Sequence, residues 1–393
     1  MPSRRALLSA IGTAASVGTA GCVGRIRREL VGYTPIEDPC DNPTGTWPTA
    51  GGDPGRTGRA DTAPPAPDAA AVDLLAAARD DGQQQHASTL PVVADGTAYI
   101  PVTGGLVAVD LDAPMNGPIW DRDLDNGITA VPVLACGAVF APGMNQLAAL
   151  DRASGERYWR ADAVSHHRND ATAAALDDTI YVAGFSPAAV DIRTGTVQWL
   201  EGAGGTLALD DDGVYTTRSD SQISGIFAYD LNGEERWRIS GEFVGSASVL
   251  NGMVWVADYR GTASAIDART GEVYWSRSLS GVSKVDSGLA VAGDEVFVPA
   301  GTGTTSVALD ATTGEIRWAV DTGIVTGRPV VGDDWVAFGR TNDGVSVYDR
   351  STGEERTTWS RAEHHLGTID GVVPVKEGFV IREGSSSGLS LLR

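Results

Sequence analysis

Residues 264–275 read SAIDARTGEVYW, and residues 307–318 read VALDATTGEIRW. In both, an apolar alternation runs into an aspartate, a glycine follows four residues later, and a tryptophan four residues after that. Alternation is the period of a half-buried strand. An aspartate at its end can accept backbone N–H groups as the chain turns, and glycine supplies the positive φ of a three- to five-residue hairpin with a bulge. The tryptophan on the returning strand is large enough to seal a seam against a neighbour, while its indole N–H finds a carbonyl. The stretch therefore reads as two antiparallel strands joined by one kind of corner.

The corner recurs as LVAVDLDAPMNGPIW (106–120), LAALDRASGERYW (147–159), PAAVDIRTGTVQW (187–199), IFAYDLNGEERW (226–237) and VSVYDRSTGEERTTW (345–359). The aspartates are Asp110, Asp151, Asp191, Asp230, Asp267, Asp310 and Asp349, spaced by 41, 40, 39, 37, 43 and 39 residues. The glycines are Gly155, Gly195, Gly233, Gly271, Gly314 and Gly353. The tryptophans are Trp120, Trp159, Trp199, Trp237, Trp275, Trp318 and Trp359, seven of the ten in the chain. A period near 40 with two further short strands upstream of each corner, as in PVVADGTAYIPV, is the length of a four-stranded propeller blade. A residue repeated once per blade serves the architecture, so these positions read as structural and not catalytic.

After Trp359 the chain holds enough for three more strands but not a fourth. PDAAAVDLLAA (67–77) can supply it from the other end, which closes the ring and removes exposed edges. The expectation is an all-β, eight-bladed propeller over 67–393; seven blades with a frayed C-terminal segment is the alternative. Residues 23–66, rich in Pro, Gly and Asp, read as a tether that becomes an ordered strap near the domain.

Charge narrows the partners. Fifty-one acids against 30 bases, with Lys284 and Lys376 the two lysines, give a net charge of −21. Such a surface repels nucleic acid and anionic lipid. We read it as an adaptation to high salt; ordinary solubility is the plainer alternative.

The first 22 residues read as an export signal. Paired Arg4 and Arg5 precede an apolar stretch, and Thr19-Ala20-Gly21-Cys22 follows. The start resembles a twin-arginine signal and the end a lipobox, which implies a lipidated Cys22 and an extracytoplasmic protein held to the cell membrane by that lipid alone. A plain anchor helix or a cleaved secretory peptide is the alternative. Cys136, in VPVLACGAVFAP, reads as a buried core thiol; an export compartment would also permit a Cys40 to Cys136 disulfide.

The repeats resemble the pyrroloquinoline-quinone (PQQ)-like propeller family, whose units carry A-x-D-x-x-T-G-x-x-x-W. TWPTAGGDPGRTGRA (46–60) is similar to the lead-in found before such propellers. Within the family the plan is similar to BamB-like lipoproteins, here of a halophilic archaeal type. That resemblance implies a lipid anchor, a short tether, eight blades and no enzyme activity. The quinone-dependent dehydrogenases of the same fold carry an adjacent cysteine pair, a cation held by Glu and Asn, and a catalytic Asp. This chain has no Cys-Cys pair, so the expectation is no cofactor and no catalytic residue.

The leading reading is a monomeric, non-catalytic scaffold that presents loops, such as SHHRND (165–170), to a cell-envelope protein. The alternatives are a PQQ-dependent or other ligand-binding redox enzyme using the central funnel, and a sensor of sugars or peptides. All five histidines, His86, His166, His167, His364 and His365, precede inner strands and so fall on one face of the ring. They form a candidate transition-metal cluster, against the plainer reading of solvated loop histidines.

Overall fold

A computed structural model describes residues 35–36, 47–76, 86–125, 127–162, 172–184, 186–200, 202–219, 223–243, 245–384 and 388–393. The strands form eight four-stranded antiparallel sheets, each a blade. The inner strands lining the axis are β2 (Val92–Ala94), β6 (Val133–Ala135), β10 (Ala173–Leu176), β14 (Thr206–Asp210), β18 (Ser248–Leu250), β22 (Ala290–Ala292), β26 (Val330–Val331) and β30 (Ile369–Val375). They open blades one to eight in that order.

The fifth blade shows how the corner works. β20 (Thr262–Asp267) pairs with β21 (Val273–Ser278), with a bulge between Ala265 and Ile266. Asp267 Oδ1 accepts the N–H of Arg269 at 3.0 Å, the N–H of Thr270 at 2.7 Å and the Thr270 hydroxyl at 2.9 Å. Those bonds hold the Asp267 carboxyl below its ordinary value, the Thr270 N–H contributing most. The Gly271 N–H closes the turn on the Asp267 carbonyl, 2.9 Å away.

The corners of blades two to seven each dock on the tryptophan of the preceding blade. Trp275 Nε1 donates to the Ala311 carbonyl at 2.9 Å, Trp237 to Ala268 at 3.0 Å and Trp318 to Arg350 at 2.8 Å. The corner glycine lies flat on the same ring: a Cβ on Gly314 would stand 2.7 Å from the Trp275 indole. Glycine is thus required twice, for its φ of 69° and for the absence of a side chain. Burying about 200 Å² of indole at about 25 cal/mol per Å² contributes on the order of 5 kcal/mol per seam, before entropy is subtracted.

The core accordingly lies between blades. One cluster joins Phe140 and Trp159 of blade two to Ile180 and Val190 of blade three, and another joins Ala263 and Ala265 of blade five to Val296 and Leu309 of blade six. Blade eight is built from both chain ends. β1 (Ala71–Asp73) pairs with β32 (Leu389–Leu392) in the register Ala71 to Leu392 and Asp73 to Ser390, and β32 pairs in turn with β31 (Gly378–Glu383). The ring closes at eight blades, and the seven-bladed alternative falls.

One sequence expectation is corrected. Cys136 is buried but is not a free thiol: it is disulfide-bonded, with its partner outside the described residues. It occupies the turn between β6 and β7 (Ala138–Gly143), where Ile36 packs into the same cluster. The Ile36 N–H donates to the Arg193 carbonyl at 3.2 Å, so the chain before the ring runs past this corner.

Candidate functional site: a blind central funnel

The glycine-rich lead-in is an ordered strap. From Trp47 to Ala60 it circles the axis and bonds to one inner strand after another. Trp47 exchanges N–H and carbonyl bonds with Val93 at 3.0 Å; Leu134 then donates to Pro48 at 2.8 Å, and the Thr49 hydroxyl to Ala173 at 2.7 Å. Leu209 donates to Pro54 at 2.9 Å, Val249 to Gly55 at 2.7 Å, Val291 to Thr57 at 2.7 Å and Val331 to Gly58 at 2.8 Å. Blades one to seven are visited in chain order. The circuit uses inner-edge N–H groups that would otherwise face the channel unpaired.

The composition of the lead-in follows from that confinement. A Cβ on Gly55 would stand 2.2 Å from the Val249 carbonyl, and one on Gly58 would stand 2.7 Å from both Ala290 Cβ and the Pro329 carbonyl. Asp53 accepts the Thr57 N–H at 3.0 Å and the Thr57 hydroxyl, which fixes the bend between them.

Above the strap lies a cavity of about 180 Å³. Its floor is Trp47, Gly51 and Arg56, and its wall includes Thr172, Ser246 and Arg328. Burial pushes the Arg56 guanidinium down to about 10, with Asp53 opposing. Burial, and then the neighbouring Arg56, hold Arg328 well below its usual value. Burial pushes the Asp53 carboxyl up, against the Thr57 bonds.

The cavity is a poor fit for the quinone of the dehydrogenases that share this fold. Its volume is below the roughly 300–1,000 Å³ typical of pockets for drug-sized molecules. Among the described residues no cysteine lines it, and Cys136 sits beyond the far end of β6 from the wall residue Val131. We derive no chemistry through that group.

Among the described residues no histidine lines the funnel. His86 is exposed, and its carbonyl accepts the Thr103 N–H at 3.1 Å. His364 ends the short helix α1 (Arg361–His364), its Nδ1 3.1 Å from the Ser360 carbonyl. His365 borders an open groove of about 630 Å³ with Asp343, Ser360 and Arg361. Among the described residues no three His, Cys, Asp or Glu side chains come together as a metal site. His166, His167 and the SHHRND loop lie outside the described residues, as do Arg4, Arg5, Cys22 and Cys40. No helix among the described residues is long and apolar enough to cross a membrane.

Sequence reasoning missed Arg56 and Arg328. Arg56 stands within the quoted lead-in, and its burial was the unread part; Arg328 lies two residues before β26, a position that no sequence pattern marks.

A family model described as "Outer membrane protein assembly factor BamB" matches residues 70–202 and 224–385. The outer membrane protein assembly factor BamB of Burkholderia pseudomallei (strain K96243) is 28% identical over 172 residues, which span 42% of this chain and 45% of that protein. The crystal structure of BamB from Moraxella catarrhalis superposes with a TM-score of 0.60 at 17% identity, covering 82% of this chain and 96% of that one. A quinohemoprotein alcohol dehydrogenase from Comamonas testosteroni superposes with a TM-score of 0.65 at 14% identity, covering 89% and 81%. At such identities both structures speak for the fold alone. Two thirds of the chain or more falls within the matched repeats, and the chain belongs to the outer membrane protein assembly factor BamB family.

Proposed function

We propose that this protein is a non-catalytic, extracytoplasmic propeller, anchored by a lipid at Cys22 after twin-arginine export, that presents loops to another protein of the cell envelope. The observation that carries the reading is the strap: it floors the axial channel and leaves a cavity of about 180 Å³, too small for a redox cofactor of several rings. What remains for recognition is the wide, rigid, loop-bearing face. On that face the groove beside Arg361 and His365 is open and polar, as suits a protein contact more than an enclosed small-molecule site.

The acidic, lysine-poor composition supports a protein that works in high salt, where the envelope partner would be met. The monomeric propeller would then act as a scaffold.

The test is co-purification from native membranes in molar salt, with and without cross-linking. Recovery of one envelope protein at a fixed ratio, lost when the 361–366 loop is replaced, is the expected result. A partner-free monomer under several extraction conditions, or dye-linked alcohol or sugar oxidation on adding quinone and calcium, would overturn the reading.

A further inference from the structure

The funnel floor carries more positive charge than the surrounding protein answers. Arg56 is 8% exposed, and its Nε and Nη1 are buried without a hydrogen-bond partner among the described residues. The same holds for Nε of Arg328 and Oγ of Ser287, and all three residues line the cavity. Arg328 is held in place from its other side: Nη1 donates to the Arg56 and Leu289 carbonyls and to Ser248 Oγ at 2.7 Å, and Nη2 donates to Ser246 Oγ.

The nearby carboxylates offset only part of this charge. Asp53 acts on both guanidinium groups, one buried counter-charge to two cations, and its oxygens bond to Thr57. Among the described residues neither arginine has a carboxylate oxygen within 4.0 Å of its guanidinium nitrogens. Asp286 and Asp370 also line the cavity, but each is part-exposed at its rim and engaged elsewhere, Asp286 with Lys284 at 3.3 Å and Asp370 with Arg382. A buried guanidinium without a counter-charge or full hydrogen bonding is costly.

We propose that the floor of the funnel binds one small monovalent anion, of the size of chloride or of a single carboxylate group, between Arg56 and Arg328, with the Ser287 hydroxyl as a further donor. Guanidinium N–H groups lining one cavity can make the strong, charge-assisted kind of hydrogen bond to such a guest. The volume admits a few heavy atoms, and the two rim carboxylates repel anything carrying more than one negative charge. The site also ties the strap, through Arg56, to blade seven, through Arg328.

The experiment uses the full chain at one fixed sodium concentration, with chloride, acetate or the bulky sulfonate MES as the anion. The expected result is a saturable rise in Tm of roughly 2–4 °C in chloride, acetate or both over MES. A rise in chloride alone assigns a halide site, and a rise in acetate alone assigns a carboxylate site. Arg56→Met is expected to abolish the rise. Ser287→Ala, which removes only a hydroxyl and serves should Arg56→Met fail to fold, is expected to raise the half-saturating anion concentration severalfold. Where chloride raises Tm, crystals grown in bromide should show anomalous density within hydrogen-bonding distance of Arg56. Equal Tm in the three anions, or a rise that Ser287→Ala leaves unchanged together with no bromide density there, overturns the proposal.

Discussion

The indole nitrogen of Trp359 donates to the carbonyl of Ala66, 3.2 Å away in space and 293 residues away in sequence. At the other six tryptophan seams the acceptor belongs to the next blade's own corner, as with Trp159 and Ile192 at 2.9 Å. Blade eight has no such corner, because β32 ends the chain and β1 enters from its start. Ala66, just before β1, stands in for it. Trp359→Phe, which keeps the ring and drops the N–H, should cost about 1 kcal/mol. Trp359→Ala, which empties a fully buried site, should cost about 3–5 kcal/mol. Urea unfolding with an unchanged m-value checks both.

A corner glycine and a glycine of another turn separate two physical demands. Gly314 and Gly252 both have positive φ, at 69° and 74°. A Cβ on Gly252 meets nothing within 4 Å, whereas one on Gly314 collides with the Trp275 ring. Gly252→Ala should therefore cost about 1 kcal/mol, the backbone penalty alone. Gly314→Ala should cost distinctly more, by about 1–3 kcal/mol of added steric strain, and should blue-shift or quench tryptophan fluorescence. Equal losses in thermal melts would contradict the docking of corner on ring.

Acid should act through the corners. Hydrogen bonds from Arg317, then the Thr313 N–H and hydroxyl, hold the Asp310 carboxyl down to about 2. A carboxyl whose folded value is depressed stabilises the fold in full above its unfolded value, near 3.9. That contribution is lost as pH falls through about 2. Neutralising an acidic chain also relieves repulsion, so the informative quantity is the difference between wild type and Asp310→Asn. It should be about 0.5 kcal/mol or less at pH 7, since Asp310 is solvent-screened, and should vanish between pH 4 and pH 2. A gap that widens on acidification would be wrong in sign.

The blades were legible in the sequence because one local rule repeats. Asp267, Gly271 and Trp275 sit within nine residues, and the chemistry of each is local or directed at the adjacent blade. The closing strand was legible for a related reason, since the last unit lacks its fourth strand and the apolar stretch at 67–77 lies ahead of the first inner strand. The strap circuit was not. Pro48, Gly55 and Gly58 act through their backbone carbonyls, which leave no mark in residue type, and each acceptor serves a different blade. The lead-in therefore read as a tether ending in an ordered strap, with neither its path around the axis nor the burial of Arg56 in view. Cys136 misled differently: an alternating strand pattern reports burial but is blind to a covalent partner far along the chain.

The disulfide gives a simple check. Denatured without reductant, the protein should leave Cys136 unlabelled by maleimide, and reduction should expose it and lower stability by about 2–4 kcal/mol. Full labelling before reduction would contradict the bond.

Whether the lead-in truly floors the channel can be read from the amide hydrogens of Leu134, Leu209, Val249, Val291 and Val331, each donated to the strap. Native-state hydrogen exchange should find all five as protected as the mid-blade amides, and Gly55→Val, which drives a side chain into the Val249 carbonyl, should expose them together while the outer strands stay protected. Fast exchange at these five positions in the unmodified protein would mean an open channel, and the case for a blind funnel and a non-catalytic propeller would go with it.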